Sequence, residues 1–257
     1  MKEMTLWFVS IGLADEKDMS IRALEIAKRA HVVFWENYTQ PLETTKKKLE
    51  TIIGKEVVPL TRKDIEEGYG EILSLAKDKE VALLVGGDAF CATTHTTLRL
   101  EALRRGIETK VVHSSSIFSA IGETGLHIYK FGAVATIPFP ERTGGKLPKS
   151  VYEVALKNFK NGFHTLFLLD IDLETNRFLS VKDAFKILKE LEKSERNGLF
   201  NNDTKWVVVS RLGFKDQIIA YGTIGKLVRL EFKPPSSIIL PAKLHFTEEE
   251  YLKYFEV

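Results

Sequence analysis

The sequence predicts an α/β protein of two domains, on three observations. Short apolar runs alternate with amphipathic stretches along most of the chain. Several of the runs, such as VALLV at 81–85, are apolar at every position, as strands buried on both faces must be. At 257 residues the chain is long enough for its core to divide in two. Strands that alternate with helices and carry no polar face belong to a parallel sheet covered by helices on both sides.

Taken in order, residues 5–11 form the first strand, a continuous apolar run with β-branched and aromatic members. Ser20 caps a helix that carries Ile21, Leu24, Ile26 and Ala27 on or near one face. Residues 32–35 form a second strand, and a Lys-rich helix over 44–53 ends at Gly54. Its charges make a solvated face. Residues 57–60 are strand-like, 64–77 helical and 81–85 a strand. A helix over 94–105 stops at Gly106, a strand covers 109–113, and 116–122 opens another helix.

The texture changes after Gly132. A Pro-rich strand over 133–140 leads into the loop ERTGGKLPKS and a helix over 150–160. A strand at 164–170, an amphipathic helix at 181–196 and a strand at 205–211 follow. Further strands are expected at 217–221 and 237–240, with a closing helix at 248–255. The domain boundary falls within 132–138, giving domains 1–134 and 135–257. No internal repeat or low-complexity segment appears.

Composition narrows the function. Thirty-seven Lys and Arg against thirty-five Asp and Glu leave a net charge of +2, which speaks against a dedicated nucleic-acid binder. The single cysteine, Cys91, rules out an intramolecular disulfide framework and any multi-cysteine zinc site. A cytoplasmic location is the expectation, because nothing requires an oxidising compartment. The opening apolar run meets Asp15, Glu16 and Asp18 too soon for a secretory signal. No later run reaches the roughly 18 apolar residues of a membrane helix, so no membrane partner is expected.

Familiar motifs are missing. SIGLADEKD after the first strand has one glycine where a dinucleotide fold places G-x-G-x-x-G, which argues against a nicotinamide enzyme and against the common Rossmann-type methyltransferase. There is no phosphate-binding G-x-x-x-x-G-K-[ST], no G-x-S-x-G elbow and no H-E-x-x-H. The six histidines are dispersed, so no metal is expected.

Ligands of open α/β sheets lie beyond the carboxyl ends of the strands, and two strand-end segments stand out there. The first is GGDAFCATTH (86–95), with Asp88 at the strand tip. Asp88 has a bland role open to it, that of a helix cap. A cap needs no paired glycine and no run of small residues, and the spare room points to a ligand against the backbone. The second is HSSSIFSAIGETGLHIYKFG (113–132), whose serines offer hydroxyls and free amides at a helix amino terminus or simply a polar, capped loop. His95 is equally compatible with a satisfied structural role, and Cys91 with a small residue lining the turn. Tyr129 packs or binds, and Lys130 reads as a solvated charge rather than a catalytic group.

These segments, in this order and spacing, resemble the diphthine synthases, the diphthamide-pathway branch of the tetrapyrrole methylases. The likeness runs through residues 9–39, the Asp88 turn with ATTH, SIFSAIGETGLHIYKFG, HTLFLLDI, NDTKWVVVSRLG and PPSSIILPAKLH. ATTH and GLHIYKFG are specific to that branch. The resemblance implies two α/β domains, the first with a mainly parallel sheet and the second with a smaller mixed sheet. It places S-adenosylmethionine in a cleft between them and leaves S-adenosylhomocysteine as product. It implies a homodimer and, as protein substrate, translation elongation factor 2, at a histidine carrying a 3-amino-3-carboxypropyl group whose amine is methylated in successive rounds to diphthine.

Carried over position by position, the cofactor contacts implied by the resemblance are Leu13, Asp88, Cys91, Ser116, Ile117, Leu169, Leu212 and Ser236. Two departures from the family pattern matter. Ala89 stands where relatives usually have proline after Gly-Asp, and Ser236 stands where many have histidine. Methyl transfer from a sulfonium is an in-line displacement in which orientation supplies much of the rate, so no catalytic dyad is expected. The charged loop 141–149 is expected to touch the protein substrate. The rival enzyme reading is a tetrapyrrole or corrin-precursor methylase of the same fold, and the rival from another class is a non-catalytic S-adenosylmethionine-binding protein.

Overall fold

The computed structural model describes residues 4–66 and 68–257. The chain divides into two compact units, the first ending at Phe118 and the second beginning at Ser119, whereas the change of sequence texture comes after Gly132. The intervening stretch is tied into the second unit by hydrogen bonds. Gly132 N–H donates to His164 O at 3.0 Å, His164 N–H donates to Lys130 O at 2.8 Å, and His127 N–H reaches Glu248 Oε1 at 2.8 Å. This stretch carries no strand and no long helix, so its allegiance leaves no mark in the hydrophobic period.

The first unit holds β1 (Thr5–Ser10), α1 (Ile21–Arg29), β2 (Val32–Glu36), α2 (Lys46–Ile53), β3 (Val58–Leu60), α3 (Arg62–Glu66), α4 (Gly70–Ala76), β4 (Val81–Val85), α5 (His95–Arg104) and β5 (Glu108–Val112). Its sheet has the order β3-β2-β4-β1-β5, and every pairing is parallel. Alternation sorts the strand side chains into two cores. Leu6, Phe8, Leu83 and Val85 pack with Leu73, Ala76, Leu98 and Ala102 of α4 and α5. Val9, Leu84 and Trp35 pack with Ala23, Ile26, Leu49 and Ile53 of α1 and α2. Both faces are therefore apolar, which is why VALLV has no polar position.

Local chemistry sets the helix ends. Ser20 Oγ accepts from Ala23 N–H at 3.1 Å, and Gly54 closes α2 at φ 78°. The one helix expected over 64–77 is instead α3 and α4, with Gly68 N–H donating to Lys63 O at 2.8 Å between them. Two glycines, Gly68 and Gly70, weaken that run by roughly 1 kcal/mol each relative to alanine. Glu67, inside the expected helix, lies outside the described residues.

After α6 (Ile117–Ala120), the second unit holds β6 (Ala135–Ile137), α7 (Lys149–Lys160), β7 (Thr165–Leu169), β8 (Ile171–Asp172), β9 (Arg177–Phe178), α8 (Val181–Glu195), β10 (Lys205–Ser210), β11 (Ile218–Thr223), α9 (Ile224–Leu227), β12 (Ser236–Leu240) and α10 (Phe246–Leu252). Its main sheet is mixed, in the order β11-β10-β12-β7-β6, with only β6 and β7 parallel. Trp206 is fully buried in its core, its ring 5.3 Å from Phe200, 5.5 Å from Phe185 and 5.9 Å from Phe167. The closing helix starts at Phe246, two residues before the expected 248. A capping box on His245 sets that start: His245 N–H donates to Glu248 Oε2 at 2.7 Å. Histidine is not a usual cap, so the sequence pattern did not announce it. Among the described residues no helix is long and apolar enough to cross a membrane.

Candidate functional site

In the first unit β1 lies between β4 and β5, so three neighbouring parallel strands deliver their carboxyl ends to one edge of the sheet. Just past the strands, Gly12 and Gly87 exchange both backbone hydrogen bonds, at 3.1 and 2.8 Å. Gly12 has φ 109° and Gly87 φ 68°, conformations that favour glycine. A Cβ on Gly12 would sit 2.6 Å from Asp18 Cβ and 3.1 Å from Ser114 Oγ, and one on Gly87 would sit 2.7 Å from Gln40 Oε1. The loops after β1, β2, β4 and β5 thus meet here, with two bare glycines where they crowd. Gly12→Ala should lower stability by about 1–3 kcal/mol through this crowding and strain. A drop in Tm of several degrees in thermal denaturation checks it. Gly70→Ala, whose new methyl meets nothing within 4 Å, should be neutral or slightly stabilising.

Asp88 follows Gly87 and is only 4% exposed. Its Oδ1 accepts from Phe90 N–H at 3.0 Å, and its Oδ2 accepts from His113 Nδ1–H at 2.8 Å and Ser114 N–H at 3.2 Å. Burial pushes the carboxyl up, but the three donors together outweigh it and hold the group below its ordinary range. Asp88 is therefore an anion at neutral pH, fixed by the loops that follow β4 and β5. Ala89 N–H donates to Ser10 Oγ at 2.9 Å, tying the same turn to the end of β1.

Cys91 and Ser116 close this group. Burial pushes the Cys91 thiol up, the Ser116 side chain opposes that, and the Asp88 charge adds to it. The thiol stays protonated at neutral pH and is no nucleophile. Leu13 offers its backbone here: its carbonyl accepts from Gln40 Nε2–H at 2.7 Å. Ile117, half-buried, opens α6 directly after Ser116. The structure thus gathers Leu13, Asp88, Cys91, Ser116 and Ile117 at one sheet edge. Gln40, Ser10 and His113 belong to the same edge and were not singled out from the sequence. Gln40 and Ser10 act by holding backbone groups and His113 by holding the Asp88 carboxylate, contacts that no motif records.

In the second unit the strand register aligns the other three expected residues. Leu169 ends β7, whose Leu168 pairs with Ser237 of β12. Ser236 begins β12 and pairs with Ser210, the last residue of β10, two positions before Leu212. Because β12 runs antiparallel to both neighbours, all three lie along one edge of that sheet. The Ser236 hydroxyl donates to Lys233 O at 2.9 Å.

The GLHIYKFG string has a different place. Glu248 is fully buried and accepts four hydrogen bonds: His127 N–H at 2.8 Å and His164 Nε2–H at 3.0 Å on Oε1, and His245 N–H at 2.7 Å and the Lys130 ammonium on Oε2. His164 Nδ1 accepts from Ala242 N–H at 2.9 Å, which fixes the tautomer. Lys130 is thus not the solvated charge its residue type suggested, since its ammonium is held by Glu248 and by Lys243 O at 3.0 Å. Among the described residues no group of three or more His, Cys, Asp or Glu is arranged to hold a metal ion.

Residues 5–228 match the family described as tetrapyrrole (corrin/porphyrin) methylases. The chain is 42% identical to the diphthine synthase of Methanocaldococcus jannaschii over 253 residues, 97% of this chain and 98% of the relative. Among solved structures it is similar to a protein from Entamoeba histolytica, with 35% identity, 98% of each chain covered and a TM-score of 0.90. It is likewise similar to a diphthine synthase crystal structure, with 34% identity, 98% of this chain and 96% of that one covered and a TM-score of 0.87.

Proposed function

The chain belongs to the tetrapyrrole methylase family, and from that premise we propose that it methylates the 3-amino-3-carboxypropyl-histidine of translation elongation factor 2, in successive rounds, to diphthine. An S-adenosylmethionine-dependent methyltransferase of diphthamide biosynthesis is what its full-length relatives support. The observation that carries the reading is the buried, ionised Asp88 where three strand ends of the first sheet meet.

The residues at that edge fit an adenosyl sulfonium. Gly12 and Gly87, both buried, let the loops that carry the site pack backbone to backbone beside Asp88. Asp88 presents a carboxylate to hydroxyl or ammonium donors, and Cys91 and Ser116 are small enough to leave room beside it. Leu13 and Ile117 add apolar surface suited to a flat ring. We assign the remaining contacts to Leu169, Leu212 and Ser236.

S-Adenosylmethionine, when bound, supplies a methyl group on a positively charged sulfur. The chain's task is orientation, because the incoming amine must meet that carbon in line with the sulfur, and well-oriented encounters remove about 7–11 kcal/mol of barrier. No side chain is assigned a nucleophilic or proton-transfer role, in keeping with the protonated Cys91. The enzyme acts as a homodimer in the cytoplasm, and the charged loop 141–149 contacts the elongation factor.

Incubation with precursor-bearing elongation factor 2 and S-adenosylmethionine, read by mass spectrometry of the modified histidine, tests the proposal. Methyl increments confined to that residue are expected. Transfer to a corrin precursor instead, or cofactor binding with no transfer to either acceptor, would reject it.

A further inference from the structure

The ATTH string turns back onto the Asp88 turn. The Ala89–Phe90 peptide donates its N–H to Asp88 Oδ1 at 3.0 Å. The carbonyl of that same peptide accepts from Thr93 Oγ1–H at 2.6 Å and meets His95 Nδ1 at 3.0 Å. A carbonyl only accepts, so the proton on Nδ1 belongs to His95. His95 is completely buried, with its ring against Phe8.

Its second ring nitrogen has a matching neighbour. Nε2 lies 3.5 Å from Glu36 Oε2, both side chains are wholly buried, and neither atom makes a hydrogen bond among the described residues. The other carboxyl oxygen of Glu36 accepts from Tyr38 N–H at 2.8 Å and Thr39 N–H at 2.6 Å, which fixes the carboxyl group at the end of β2. Two bare acceptors facing each other with both side chains wholly buried would be costly. One proton between Nε2 and Oε2 removes that conflict and leaves Nδ1–H pointing at Ala89.

We propose that His95, held by Glu36 and seconded by Thr93, is the positioning residue that orients the Ala89–Phe90 peptide and through it the carboxylate of Asp88. The proposal rests on reading Asp88 as a cofactor contact. It gives ATTH a function beyond starting a helix: two of its side chains clamp one carbonyl.

The test is calorimetric binding of S-adenosylmethionine to the full chain and its variants, with Tm as a folding control. Binding by the unaltered protein checks the reading of the site; its absence would sink that reading and not the clamp. Given that binding, His95→Phe should weaken affinity at least about tenfold and Thr93→Val about three- to tenfold. In turnover assays the loss should fall on KM for the cofactor, with kcat at saturation within about threefold. Glu36→Leu should behave like His95→Phe. Glu36→Gln should restore affinity to within about threefold, because its amide still accepts from Tyr38 and Thr39 and donates to Nε2. Equal affinity in His95→Phe, or no difference between Glu36→Leu and Glu36→Gln, would overturn the proposal. Should the buried variants not fold, nitrogen-15 spectra of His95 in the unaltered protein decide it: a protonated Nδ1 is expected, and a bare Nδ1 would overturn it.

Discussion

Asp88→Ala is expected to weaken S-adenosylmethionine binding by at least about a hundredfold, with calorimetry on the folded variant as the measurement. Two losses combine. The carboxylate no longer receives a donor from the cofactor, and a hydrogen bond to a charged group contributes roughly 1.5–3 kcal/mol. In addition Phe90 N–H, Ser114 N–H and His113 lose the acceptor that joins the loops after β4 and β5, so the site relaxes as well as losing its charge. Asp88→Asn keeps one acceptor but turns an amide N–H toward a donor, and should fall between, at roughly tenfold. The direction of the Asp88 shift adds a pH expectation. A carboxyl held below its ordinary 3.8 keeps its charge down to that range, so the affinity due to Asp88 should be flat from pH 8 to pH 5. Binding by Asp88→Ala as tight as the unaltered protein would remove Asp88 from the site.

Much of this was legible in the sequence. VALLV and TLWFVS announce strands buried on both faces, and that alone demands helices on each side. Gly-Gly-Asp at a strand tip announces close backbone approach, and the positive φ of Gly87 is its physical content. What was not legible is long-range hydrogen bonding. His113 and Asp88 are 25 positions apart and meet only because β4 and β5 both flank β1. His95 and Glu36 sit on opposite sides of three intervening helices in sequence, and nothing in either local pattern pairs them. Lys130 has a related reason: a lysine beside tyrosine in a loop reads as solvated unless its partner, 118 positions later, is known. The helix break near Gly68 was missed because the apolar period continues across it while backbone propensity does not. Periodicity reports burial, whereas the site depends on which buried polar groups find each other.

Those buried polar groups also govern stability, and Glu248→Ala is expected to lower it by about 3–5 kcal/mol, seen as a fall of roughly 10 °C or more in Tm. Removing the carboxylate leaves the Lys130 ammonium, the His164 Nε2–H and two backbone N–H groups without their acceptor in a site where Glu248 is fully buried. Breaking one partner of a buried charge pair costs more than never having had the pair. The double variant Lys130→Met with Glu248→Gln should accordingly be milder than Glu248→Ala alone. The pH dependence follows from two shifts of known direction. Burial pushes the Glu248 carboxyl up, but the His245 and His127 amides, Lys130 and His164 overcome it and bring it from 4.5 down to about 2. Its folded value is depressed, so its contribution, about 3 kcal/mol, is whole above pH 4.5 and fades as pH falls toward 2. His164 is pushed below its ordinary 6.5, chiefly by burial, so the unfolded chain binds its proton first and stability begins to drop below pH 6.5. Urea denaturation from pH 8 to pH 3 should show both steps, with the advantage of the unaltered protein over Glu248→Gln shrinking below pH 4.5. An advantage that stays constant to pH 3 would mean that the Glu248 carboxylate is not what holds GLHIYKFG in place.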